Sequence, residues 1–187
     1  MTKQNLSLIT LTLGLGALIG TLNITMFNVA LPIMMTYFDT TLATVQWLTS
    51  GYMLAAGMII PAAGFFGNHF GYKKIFCFIV TSVLALSIVG SFAWCIEALI
   101  VIRFLFGLTG GLLSPLSLAM LYRVVPAGQQ AKAASTWGMA NIMGGMLPSC
   151  LSGFILSVAD WRFLLLFNVP FALLTLLLSV KLLPKDT

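Results

Sequence analysis

Arg103 is the residue with the most chemistry to offer, because it stands inside an apolar run about six residues past Glu97, roughly 9 Å along a helix axis. A guanidinium brings a permanent charge and five N–H donors. At membrane depth each of those must find a partner, water or a solute. The helical stripe below Arg103 holds Gly107, Gly110, Gly111 and Ser114, all small. Arg103 either heads a small, polar face looking into a helix bundle or snorkels to the outer headgroups. The stripe favours the first.

Two more runs carry inward candidates. Thr21, Thr25 and Asn28 share one helical face ending near Pro32, with Asn23 off that face beside Phe27. Further on, Gly138, Asn141, Gly145, Ser149 and Ser152 share another face, with Gly144 and Pro148 alongside. A proline there loosens a helix in a way that neighbouring helices compensate. Three such faces predict a shared, partly hydrated cavity. Gln46, Trp47 and Tyr52 reach its outer part, although Trp47 fits an interfacial belt equally well. Gly16 with Gly20 and Gly107 with Gly111 make G-x-x-x-G pairs that suit close helix packing and let helices slide or rock.

This chemistry is binding and passage, not bond-making. His69 is the sole histidine, so no histidine cluster holds a metal. Asp39, Glu97 and Asp160 lie in separate connections without paired-acid spacing, and no phosphate-cradling glycine loop with its lysine is present. No enzyme activity and no cofactor are expected. The three cysteines, Cys77, Cys95 and Cys150, are scattered without a C-x-x-C and read as packing residues.

The elements that must position these residues are six long apolar runs. They read as crossings at Leu8–Leu31, Val45–Phe66, Ile75–Ala93, Leu99–Leu121, Ser135–Val158 and Phe163–Val180, each near the roughly 20 residues a bilayer core requires. The 187 residues are 60% hydrophobic and 7% charged, against about 25% charged in a soluble domain. The net charge of +5 is spread among the gaps and does not form a nucleic-acid patch. With the N-terminus inside, Lys3, Lys73, Lys74, Arg123, Lys132, Lys181 and Lys185 are cytoplasmic and only Arg162 lies in an outer loop. That asymmetry predicts both termini to be cytoplasmic. A cleaved signal peptide is not expected, since the first run continues past Asn23 and Asn28 to Pro32 without a small-residue cleavage site.

Several ordered stretches resemble drug:proton antiporters of the major facilitator superfamily. LNITMFNVALP, Leu22 to Pro32, resembles their first-helix motif, and VQWLTSGYMLAAGMIIPAAG, Val45 to Gly64, their second helix. GFFGNHFGYKK, Gly64 to Lys74, resembles the loop signature G-x-L-a-D-r-x-G-r-k between helices two and three. Arg103 with Gly107 is similar to the fourth-helix R-x-x-Q-G. Gly144, Pro148 and Gly153 loosely resemble the fifth-helix antiporter motif, and WRFLLLFNVP, Trp161 to Pro170, the start of helix six in the fourteen-helix branch. The resemblance adds Asn23 to a substrate pathway that the polar faces already assign to Asn28, Arg103 and Asn141. It also implies a gating loop through Gly64, Asn68, Gly71 and Lys73, and helix packing and rocking at Gly107, Gly111, Gly144 and Pro148.

The departures are specific. Asn23 stands where the family usually has an aspartate and cannot take up a proton, which predicts weak or absent proton coupling. Asn68 replaces the loop acid, with His69 and Tyr72 in place of usual basic residues, so the cytoplasmic latch is expected to be weaker. Phe106 replaces the fourth-helix glutamine, and Leu147 breaks the Gly-Pro pair. Members of the family have two six-helix halves related by an axis along the membrane normal, and this chain resembles the first. The expectation is an all-α, multi-pass protein of the cell membrane with a single six-helix transmembrane domain over 1–187. It would act as a half-size transporter of small amphipathic or cationic compounds, paired with a second six-helix half. A parallel homodimer supplies that half most simply. The alternative is a truncated, non-transporting membrane subunit or remnant. The partners expected are membrane lipid and a small-molecule substrate, with no nucleic acid.

Overall fold

The long apolar runs become helices because a chain in lipid must satisfy its backbone polar groups within itself. A computed structural model describes residues 3–183, with side chains from Leu6 onward. The elements are α1 (Lys3–Tyr37), α2 (Leu42–Ile59), α3 (Ala63–Phe70), α4 (Tyr72–Ser91), α5 (Ile96–Val124), α6 (Gln130–Val158), α7 (Arg162–Leu166) and α8 (Asn168–Leu182). Short 3-10 turns precede α3 and α6, and no strand occurs among the described residues. These elements make 6 spans long and apolar enough to cross a membrane.

Borders shift where proline misleads. Pro32 reads as the end of the first crossing, yet α1 continues through it to Tyr37. Pro115 and Pro148 likewise sit inside α5 and α6, each of which continues through its proline as one helix. Pro61 does act, tightening the chain into a 3-10 turn between α2 and α3. The stretch Gly64–Lys74, read as a loop, is helical except at Gly71. There φ is 94°, a region open to glycine at no steric cost, and the chain reverses from α3 into α4.

The centre of the bundle is α1 and α5. α6 lies along α1, α2 along α5, and α4 with α8 flanks both. Close approach is built from small residues, as lipid-embedded packing requires. A Cβ on Gly111 would meet the Ala56 Cα at 2.7 Å, and one on Gly107 would meet the Ala55 Cβ at 2.8 Å, so α2 and α5 touch backbone to backbone. Gly144 does the same for α6, where a Cβ would lie 2.8 Å from the Leu18 carbonyl oxygen. On α6 the packed stripe is Gly144, Pro148 and Ser152, whereas Asn141 and Gly145 are half-buried and Ser149 is exposed. The inward face is thus rotated from the one that polarity alone suggested. Met139, Ile142, Met143 and Met146 leave the opposite side of α6 exposed.

Candidate functional site

Arg103 projects from α5 into the middle of the bundle and is fully buried. Phe27 of α1 is the nearest ring, with its centroid 3.5 Å from the Arg103 Cζ, while Tyr52 of α2 and Phe106 stand at 5.1 and 5.8 Å. The aromatic faces stabilise a cation that has left water. Arg103 Nη2 donates to the Asn23 carbonyl oxygen at 2.8 Å. Its Nε and Nη1 have no hydrogen-bond partner, and no carboxylate pairs with it among the described residues. Tyr52, expected at the outer cavity, is instead core: its hydroxyl donates to the Gly20 carbonyl at 3.2 Å.

Asn23 turns its side chain away from this cation toward α8. Its Nδ2 donates to Asn168 Oδ1 at 3.2 Å, and Asn168 Nδ2 donates back to Asn23 Oδ1 at 3.2 Å. The same two amides also donate to the Ile19 and Leu164 carbonyls, at 2.9 and 3.3 Å. Both residues are buried, so the reciprocal pair satisfies amides that lipid-depth surroundings would otherwise leave costly. Asn168 was not picked out from the sequence. Its signal was an amide inside an apolar run, two residues before Pro170.

The other pathway candidates lie elsewhere. Thr21 Oγ1 sits 3.2 Å from Asn141 Oδ1, joining α1 to α6 at a half-buried seam. Asn28 is exposed, about two turns past Thr21 along that open side of α1. The four candidates therefore split: Arg103 and Asn23 are shut inside, while Asn28 and Asn141 border the open side. Phe27, fully buried, closes the guanidinium off. Trp137 Nε1 donates to Ser117 Oγ at 2.9 Å, a second polar tie that holds α6, here to α5.

At one end of the bundle the stretch from Gly64 to Lys73 makes a latch. Asn68 Oδ1 accepts from Arg123 Nη2 at 2.6 Å and from the Tyr72 hydroxyl at 3.3 Å. The Arg123 guanidinium lies 4.2 Å over the Tyr72 ring. Lys73 Nζ donates to the Val180 and Leu183 carbonyls at 2.9 and 2.7 Å, capping the C-terminus of α8 where cations are favoured. Gly71 supplies the reversal. A Cβ on Gly64 would meet nothing within 4 Å, so packing gives no reason for glycine there. At the opposite end, Arg162 pairs with Asp160 at 2.7 Å and donates to the Tyr37 hydroxyl at 3.0 Å, tying α7 to the end of α1.

Because consecutive spans alternate in direction, Lys73, Lys74, Arg123, Lys132 and Lys181 share the end that holds Asn68, while Asp39, Glu97 and Asp160 share the other. The Lys3 side chain and Lys185, counted above with the first group, lie outside the described residues.

The structure is thus a six-span helical bundle with a buried arginine in its fourth span and a tight glycine reversal between its second and third. Residues 13–187 match the Major Facilitator Superfamily, and the chain belongs to it. It is 30% identical over 172 residues to the multidrug resistance protein B homolog of Mycobacterium tuberculosis, covering 92% of this chain and 32% of that one. It is 28% identical over 183 residues to the probable multidrug resistance protein EmrY of Escherichia coli, covering 98% and 36%. The chain thus spans about a third of the length of these curated relatives. In fold it superposes on the proton:xylose symporter XylE bound to 6-bromo-6-deoxy-D-glucose with a TM-score of 0.88 at 18% identity, covering 100% of this chain and 46% of that one. The chain is a multi-pass membrane protein with a major facilitator fold.

Proposed function

We propose that this chain, as one six-helix domain over 1–187 with both termini cytoplasmic in the cell membrane, is half of an efflux transporter. It would move small amphipathic or cationic compounds by alternating access after pairing with a second six-helix unit, most simply a parallel copy of itself. The supporting observation is the open side of α1 and α6, where Asn28, Asn141 and the exposed Met139, Met143 and Met146 offer the polar-and-pliable wall of a cavity that lacks its other wall. Relatives named for multidrug resistance support the substrate class.

In this reading Asn28 and Asn141 line the pathway directly, and Arg103 with Asn23 charges it from behind Phe27. Gly64, Asn68, Gly71 and Lys73 gate the cytoplasmic side, and Gly107, Gly111, Gly144 and Pro148 form the contacts across which helices rock. Asn23 and Asn168 are both amides, so proton coupling through this pair is weak or absent. Chemical cross-linking in mild detergent, followed by dye efflux from proteoliposomes, tests the reading. A two-fold species that expels dye supports it, and a monomer that leaves dye flux at the level of empty liposomes overturns it. That second result would establish the alternative, a non-transporting membrane subunit. The enclosure of Arg103 and Asn23 inside the half-bundle favours that alternative, because no partner half reaches them in this state.

A further inference from the structure

At the cationic end, α1 and α6 part to leave a groove of about 550 Å³. Its polar lining comes from Ser7 and Thr10 on α1, and from Gln129, Lys132 and Thr136 at the start of the fifth span. The two threonines commit their hydroxyl hydrogens to their own helices: Thr10 donates to the Leu6 carbonyl at 3.0 Å and Thr136 to the Lys132 carbonyl at 3.0 Å. The side-chain donors of Ser7, Gln129 and Lys132 make no hydrogen bond among the described residues, and all three residues line the same groove. No acid lines it. Leu11, half exposed, continues the wall toward the middle of the membrane.

The depth is informative. The span Leu6–Tyr37 has 32 residues, hence about 48 Å of helix, against a hydrocarbon core of about 30 Å. Its first turns, which carry Ser7 and Thr10, therefore stand at headgroup level, with Leu11 at the edge of the acyl region. A site that combines an ammonium, an amide and a hydroxyl with an apolar wall on its membrane side matches a phosphodiester that carries a chain. The surrounding end of the bundle adds Lys73, Lys74, Arg123 and Lys181, whose field attracts anions.

We infer that this groove holds the headgroup phosphate of an anionic phospholipid, with Lys132 as its ion-pairing residue, Ser7 and Gln129 as its hydrogen-bond donors, and the acyl chain running along Leu11. The site does not depend on whether the chain transports anything, since it uses neither the open side of α6 nor Arg103.

Native mass spectrometry of the purified full chain in detergent tests this, with phosphatidylglycerol, phosphatidylcholine and inorganic phosphate as the three probes. Phosphatidylglycerol is expected to be retained in preference to phosphatidylcholine, and K132Q is expected to lower that retention about five-fold, the effect of one lysine near a charged headgroup. K132R is expected to restore it. K181Q removes the same charge from the same end but outside the groove, and is expected to lower retention less than two-fold. Equal loss in K132Q and K181Q would show a diffuse field and no built site, which overturns the proposal. So would equal retention of phosphatidylcholine, or full displacement of the lipid by inorganic phosphate, which would assign the groove to a free anion.

Discussion

Arg103 donates from Nη2 to the main-chain oxygen of Asn23 at 2.8 Å, while the Asn23 side chain turns the other way, toward Asn168. The side chain nearest in sequence terms to a counter-ion position is thus an amide that ignores the cation. Burying an ion without compensation costs several kcal/mol even after relaxation, against which stand the Phe27 face, about 2 kcal/mol or more when desolvated, and the hydrogen bond to the Asn23 carbonyl. Replacing a buried charge by an apolar side chain of similar volume is often neutral or stabilising. Arg103→Leu is expected to melt in detergent at or above the parent temperature while any dye efflux falls to background. A melting point lower by the equivalent of about 3 kcal/mol, the range for breaking a buried pair, would reveal an anionic partner.

The Asn23–Asn168 pair links residues 145 positions apart. It should behave as one unit. In a double-mutant cycle with Asn23→Ala and Asn168→Ala, the coupling energy is expected near 0.6 kcal/mol and below about 1.7, the span found for hydrogen bonds between membrane helices. Zero coupling by thermal unfolding would mean that each amide finds water or backbone alone.

Asn23→Asp addresses proton coupling directly. The substitution keeps shape, replaces a group that cannot ionise, and places a buried carboxylate against Asn168. In proteoliposomes under an imposed pH gradient, the variant is expected to gain proton-dependent dye movement, whereas the parent responds only to the dye gradient. An equal response to the pH gradient in both would remove Asn23 as the reason for weak coupling.

Glycine contacts separate packing from passage. Gly107→Ala and Gly111→Ala drive a methyl into the Tyr52–Ala56 backbone of α2, and each is expected to cost about 1–3 kcal/mol as overpacking. Gly138→Ala, whose Cβ meets nothing within 4 Å, is expected to be neutral or slightly stabilising by the helix propensity of alanine. Thermal unfolding of the three variants checks the ordering.

The crossings were legible because hydropathy is summed over some twenty residues, so local errors average out. Their ends were not. Pro32 looked like a stop, but lipid offers no alternative to helix and α1 continues to Tyr37. Arg103 and its stripe through Gly107 and Gly110 could be placed inward from spacing alone, and all three are buried on α5. What Arg103 meets could not, because its partners lie in other spans and periodicity carries no information between spans. For that reason nothing in the sequence around Asn168 or Asn23 points to their pairing. On α6, polarity pointed to Asn141 and Ser149, whereas shape decided: Gly144 fits under Leu18 and Pro148 packs beside it.

The latch yields a prediction about charge. Asn68 reaches Arg123 at 2.6 Å, the geometry of an ion pair made with a neutral acceptor. Both residues are exposed, so Asn68→Asp is expected to add only about 0.2–1 kcal/mol. That gain should be salt-dependent, since the screening length falls from about 10 Å at 0.1 M to about 3 Å at 1 M. The parent Asn68–Arg123 bond should show little salt dependence, because its acceptor carries no charge. Melting curves of parent and variant at the two salt concentrations decide it: the difference should be visible at 0.1 M and shrink at 1 M. If the variant gains nothing at low salt, Arg123 is held by the Tyr72 ring and the Asn68 oxygen is incidental. The latch would then be an aromatic clamp, and Tyr72→Ala would loosen it more than any change at Asn68.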